Sequence, residues 1–157
     1  MICKTLAIPL RIFPFSNTSR IAVWISPDFG RFATLAKGAM RPDSPHLGQF
    51  DLFATSEVLF YHKEGRLLHT LKECSLLAPR AAFRADWRAC ALASYAASLF
   101  DRLLPFGPAD PALYALYESA LDAFAARSPG PAALPRFELD LLRLLGHAPA
   151  FSHCSLS

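Results

Sequence analysis

Arg20-Ile21-Ala22-Val23-Trp24-Ile25-Ser26-Pro27-Asp28-Phe29-Gly30-Arg31-Phe32-Ala33-Thr34-Leu35-Ala36 decides the fold. Ile21, Val23 and Ile25 alternate with Ala22 and Trp24, the period of a strand with one apolar face. Pro27-Asp28-Phe29-Gly30 is a turn signal, so residues 31–36 are expected to return as the partner strand of a hairpin. Working outward, residues 5–12 read as an opening strand, with Pro9 arguing for an edge position. Residues 37–45, rich in Gly, Pro, Asp and Ser, compose a loop. Residues 50–61 read as one long aromatic and β-branched strand, and His62-Lys63-Glu64-Gly65-Arg66 turns it into a last strand over 67–73. Five short strands in the first half predict a small closed sheet, because closure removes the edges of so small a β domain.

Past Pro79 the period changes. Trp87, Ala91, Tyr95, Leu99 and Leu103 recur every four residues, with Leu92, Ala96 and Phe100 beside them, and predict a helix ended by Pro105 and Gly107. Asp110 followed by Pro111 reads as a capped start for a second helix through Leu113, Tyr117, Leu121 and Phe124. Ser128-Pro129-Gly130-Pro131 breaks it, and a third helix is expected over 135–145, closed by Gly146. Strands followed by helices give an α+β chain, with a β domain at 1–79 and a helical domain at 80–157.

Composition narrows the function. The 157 residues are 53% hydrophobic and 18% charged, which excludes disorder for the bulk of the chain. No run reaches the ~18–20 apolar residues that span a bilayer. The apolar stretch after Lys4 stops at Arg11, too short for a secretory leader, so a cytoplasmic protein with no membrane partner is expected. Cys3, Cys74, Cys90 and Cys154 are scattered and read as reduced thiols. No nucleophile elbow, phosphate loop, dinucleotide fingerprint or zinc-protease motif is present, and the five histidines are dispersed. The expectation is a protein that is not an enzyme and carries no cofactor.

The positive signal is charge at turns. Residues 1–80 hold ten basic and six acidic residues, a balance of +4, whereas residues 81–157 balance at −1. Arg20, Arg31, Lys37, Arg41, Lys63 and Arg66 all fall at strand ends or loops, where cations can neutralise the phosphates of a nucleic-acid strand. Trp24, out of phase with Ile21, Val23 and Ile25, is a candidate stacking residue, as are Phe53 and Tyr61. Packing under the helical half is the competing reading for all three. Trp87, Tyr95 and Phe100 read as helical core, or, with Arg84 and Arg88, as an apolar groove with a cationic rim for an acidic, aromatic peptide.

Ser19-Arg20-Ile21, then Phe29-Gly30-Arg31, then Lys37-Gly38-Ala39-Met40-Arg41-Pro42 come in an order that resembles the RecO family of recombination mediators. The resemblance runs through Ser19-Arg20-Ile21, Phe29-Gly30-Arg31, Leu35-Ala36-Lys37-Gly38-Ala39-Met40-Arg41-Pro42-Asp43-Ser44 and Leu47-Gly48-Gln49-Phe50-Asp51-Leu52-Phe53. In the helical half it takes in Ala93-Ser94-Tyr95, Asp101-Arg102-Leu103-Leu104-Pro105, Phe137-Glu138-Leu139-Asp140-Leu141-Leu142 and Leu145-Gly146-His147-Ala148-Pro149. It implies a five-stranded oligonucleotide/oligosaccharide-binding (OB) barrel followed by a helical domain. It implies binding of single- and double-stranded DNA, strand annealing, and loading of recombinase onto DNA coated by single-strand-binding protein. The partners it implies are a RecR-like ring protein and the acidic tail of single-strand-binding protein.

Three departures stand out. Phe15-Ser16-Asn17-Thr18-Ser19 replaces a Tyr-Gly-Glu-x-Asp-like segment, and Asp43 stands where the family commonly has lysine. Members often carry a four-cysteine zinc site beginning near Cys154, but here only Ser155-Leu156-Ser157 follows. No metal is therefore expected, and the chain reads as a truncated gene product, a fragment or a degenerate member. The alternatives are an adaptor that docks on single-strand-binding protein and touches DNA little, and an RNA-binding barrel.

Overall fold

The computed structural model describes residues 1–126 and 129–151. Five strands, β1 (Ile2–Pro14), β2 (Arg20–Ser26), β3 (Gly30–Ala36), β4 (Thr55–Tyr61) and β5 (Leu68–Ala78), close in the order β1-β2-β3-β5-β4. All neighbours are antiparallel except β3 and β5. That order is the OB barrel. Four helices follow, α1 (Ala82–Ala85), α2 (Trp87–Leu103), α3 (Pro111–Phe124) and α4 (Ala133–Leu144).

β1 closes the barrel because it is long enough for two partners. Ile2 to Ala7 pair with β4, and Ile8 to Pro14 pair with β2. At the hand-over Pro9 faces Trp24 while Arg11 faces Val23, so Leu10 is the extra residue of a bulge. Pro9 is thus buried at a bulge rather than on an edge, a place where its missing N–H costs no ladder bond. Trp24, Phe32, Val58, Phe60 and Leu71 fill the interior with Phe50, which enters from the β3–β4 connection. The long strand expected over 50–61 begins only at Thr55. Ahead of it Phe53 adopts φ +67° and turns out of the barrel, meeting Phe83 at 5.3 Å between ring centroids in the helical core. Phe53 is therefore packing, not a stacking surface.

Asp86 caps α2 by accepting from the Arg88 N–H at 2.9 Å, and Asp110 caps α3 ahead of Pro111. The face of α2 that packs is Ala89, Ala93, Ala96, Ala97 and Phe100, not the every-four stripe. The reason is geometric: at ~100° per residue Trp87 and Ala91 lie ~160° around the helix from Ala89, so the stripe starts on the side of α2 turned away from the alanine face. Trp87 is consequently 74% exposed and Tyr95 and Leu103 are exposed too, correcting the expectation of core residues. Small alanines let α2 approach its neighbours closely, and the larger rings come from Tyr117, Phe124 and Phe137.

Two arginines lock barrel to helices. Arg31 on β3 donates to Asp101 at 2.6 Å and to the Leu104 carbonyl at 2.8 Å, and its guanidinium lies 4.1 Å from the Phe106 ring centroid. Next to it Gly30 has φ +61°, and a Cβ there would collide with the Gly107 and Pro108 carbonyls, so only glycine fits. Arg80 donates to Asp122 at 2.7 Å and to the Phe53 carbonyl at 2.8 Å. Among the described residues no helix is long and apolar enough to cross a membrane.

Candidate nucleic-acid interface

Residues opposite each other in antiparallel strands share a face, so the register sorts the barrel surface. Phe13 faces Ile21, and Val23 faces Ala33. These four, with Leu35, Leu68 and Phe106, form an apolar cluster outside the barrel on the β2–β3 side, in which Ile21, Val23 and Ala33 are buried and Phe13, Leu35, Leu68 and Phe106 form the half-buried surface. Ile25, in phase with them, packs under the helices instead. The outer face of strands 2 and 3, with the loops after strands 1 and 4, is where OB barrels take oligonucleotides.

Loop cations stand on both sides of this floor. The β1–β2 turn, residues 15–19, is held to the β3–β4 connection, because Met40 N–H donates to the Thr18 carbonyl at 3.0 Å and Gly38 N–H to the Ser19 hydroxyl at 3.3 Å. Arg20 pairs in register with Ala36, immediately before Lys37. Arg20, Lys37 and Arg41 therefore share one end of the barrel, all exposed. The stem of Arg41 lies along Gly38, where a Cβ would rest 3.5 Å from its Cδ. Lys63 and Arg66, also exposed, sit on the β4–β5 turn across β3, two strand spacings or ~10 Å from β2. None of these five cations is in an ion pair among the described residues, whereas Lys4, Arg11, Arg31, Lys72, Arg80, Arg84 and Arg143 are.

Two expected site residues are corrected. Trp24 has no exposed surface; its indole N–H donates to the Thr34 hydroxyl at 2.8 Å inside the barrel, so no base can reach it. Arg31 keeps only 11% of its side chain exposed and its charge is spent on Asp101. Tyr61 is 42% exposed at the end of β4.

Sequence reading missed Phe13, Arg11 above its ring at 4.9 Å, and Phe106. The bulge at Leu10 shifts the alternation by one, so the face of Phe13 does not follow from residues 5–9. His62 was missed as well. It stacks on His69 at 4.7 Å, and the Lys63 N–H donates to His69 Nδ1 at 3.2 Å. Burial, then the neighbouring His62 and Lys63, hold the His69 pKa below its ordinary 6.5. Burial alone lowers that of His46, whose Nδ1 has no partner among the described residues. The Cys74 thiol, bonded to the Gln49 carbonyl, is pushed up to about 12 by burial and is inert. Among the described residues no group of three or more His, Cys, Asp or Glu could hold a metal. Cys154 lies outside them.

The peptide groove expected around Trp87, Tyr95 and Phe100 does not form. Phe100 is buried, Arg88 lies over the Trp87 ring, and Arg84 pairs with Asp51 at 2.6 Å. A different apolar groove of about 440 Å³ runs between α2 and α4, lined by Tyr95, Leu99, Leu103, Leu139 and Leu142.

Comparison with known proteins agrees with this architecture. The family model for the Recombination protein O N terminal matches residues 1–80, and that for its C terminal matches residues 84–157. "DNA repair protein RecO" of Geobacter metallireducens is 31% identical over 152 residues, covering 97% of this chain and 62% of that protein. The proteins of the same name from Salinibacter ruber and Rhodopirellula baltica are 31% and 32% identical, with 58% and 56% of their lengths covered. The chain thus spans about three-fifths of the curated relatives it matches. With both family models matched in order along a barrel and its helices, the chain belongs to the RecO family of DNA repair proteins.

Proposed function

We propose that this chain binds single-stranded DNA, without catalysing a reaction, along the outer face of β2 and β3. The observation that carries the reading is the set of exposed cations that are in no ion pair among the described residues. Arg20, Lys37 and Arg41 on one side and Lys63 and Arg66 on the other flank an apolar floor that includes the Phe13 ring. Phosphates following both rims would be neutralised while bases lie over the floor, giving affinity with little sequence preference. The relatives' name as DNA repair proteins supports it. Double-stranded DNA, annealing, recombinase loading and a RecR-like ring partner come with the family resemblance and belong to the same proposal for the whole protein.

Fluorescence anisotropy of a labelled oligonucleotide across a salt series tests it. Binding that weakens as salt rises supports the reading, and no binding at low salt by the folded chain overturns it.

A second reading, an adaptor for the acidic tail of single-strand-binding protein, is favoured by the α2–α4 groove. Its lining is apolar apart from Tyr95 and Glu138. Arg102, next to Leu103 in sequence, is exposed, while Arg143, next to Leu142, pairs with Asp140, so the apolar part of that peptide would carry the docking. Leu142→Glu would abolish tail binding and leave DNA binding intact if the groove docks that peptide.

A further inference from the structure

A cleft of about 270 Å³ opens between the β2–β3 turn, the β4–β5 turn and residues 106–109. From it we infer that the protein holds one unstacked nucleobase of the bound strand beside the β4–β5 turn, an inference that rests on the DNA-binding reading. The volume sits at the lower edge of ligand pockets, suiting one planar ring rather than a larger ligand. Its walls are flat. Phe29 is half-buried with its ring 6.2 Å from that of His62, too close for a base to slide between them, so a base would lie against these rings. His62 is itself half-buried, and His69 covers one of its faces. Depressed basicity keeps His69 neutral near pH 7, so it supports His62 without adding charge.

The polar groups suit a nucleotide. Arg66 lines the cleft, exposed and unpaired among the described residues, where the flanking phosphate would lie. Arg31 lines it too, but its guanidinium is held by Asp101 and the Leu104 carbonyl and its Nε–H is buried, so it walls the cleft without offering a donor to the ligand. Asp28, beside Phe29 on the β2–β3 turn, accepts from the Thr5 hydroxyl at 2.6 Å and disfavours any ligand presenting an anion on that side. Phe106 belongs both to the cleft and to the apolar floor, so a strand on that floor can deliver a base without leaving the surface.

The test compares labelled oligothymidylate of ~12 nucleotides with a strand of the same length whose internal sites are abasic. The full chain is expected to prefer the base-bearing strand by about tenfold, and His62→Ala to cut that preference to about twofold. His62→Phe keeps a flat ring and should keep the preference, which guards against a His62→Ala variant that folds poorly. Lys37→Ala should weaken both strands alike and leave the ratio unchanged. Equal affinity for both strands, or a preference that survives His62→Ala, overturns the pocket while the DNA-binding reading stands. Failure to bind either strand overturns both.

Discussion

The seam between barrel and helices and the rim of loops around β2 and β3 are built from the same residue type and do opposite work. At the seam Arg31 and Arg80 are almost fully buried, each against a carboxylate and a backbone carbonyl. At the rim Arg20, Arg41 and Arg66 are exposed and meet no acid among the described residues. A guanidinium that has lost its water must have fixed partners or it destabilises the fold, so the seam arginines cannot be offered to a ligand. A solvated one costs nothing to keep and contributes its charge to whatever polyanion arrives. Pairing and burial therefore separate structural cations from binding ones.

The sharpest way to break this contrast is at the seam. Arg31→Ala leaves Asp101 half-buried without its closest partner and strips the cover from Phe106, and is expected to cost ~3–5 kcal/mol of stability. Urea unfolding measures it; a loss under ~1 kcal/mol would mean that Arg31 is solvated and belongs with the rim.

The rim gives the reverse pattern. Replacing Lys37 and Arg41 by Ala should leave stability within ~0.5 kcal/mol, because both are exposed and neither is in an ion pair among the described residues. DNA affinity should fall, and the slope of log affinity against log salt should flatten by ~1.4 for two lost phosphate contacts on single-stranded DNA. An unchanged slope would take the β3–β4 connection out of the interface.

How much of this was legible in the sequence follows from the range of the interactions. The β2–β3 hairpin was readable because strand alternation and a turn are local, and Asp110-Pro111 was readable as a cap for the same reason. The exposure of Lys37, Arg41, Lys63 and Arg66 followed from turn composition. The job of Arg31 did not, since its partner Asp101 is 70 residues away. Trp24 was placed opposite Ile21 and Val23, as it is, but which face is the interior depends on the closure of the barrel. Phe13 was hidden by the bulge at Leu10, and Phe53 by a left-handed backbone that no pattern announces.

Acid separates the regions in another way. His46 and His69 are both buried, and burial holds both below the ordinary 6.5. The unfolded chain then binds more protons than the folded one, so stability is whole above pH ~6.5 and declines as pH falls below it. His69→Gln should flatten the decline in a series of urea midpoints from pH 7 to pH 5. A flat wild-type profile would mean that both rings accept protons in the folded barrel.

The smallest effect tests the rim's one opposing charge. Asp43 lies exposed in the connection that carries Lys37 and Arg41, and it makes no ion pair among the described residues. If phosphates approach these two cations, Asp43 repels them at close range, and solvent screening limits the penalty to a fraction of a kcal/mol. Asp43→Lys should tighten single-stranded DNA binding a few-fold at low salt, with the gain fading as salt rises, and leave the melting temperature unchanged. The same gain at high salt would be contact chemistry rather than field, and no gain would place the strand's path away from this end of the barrel. In that case the β4–β5 turn, with Lys63 and Arg66, would carry the phosphates alone.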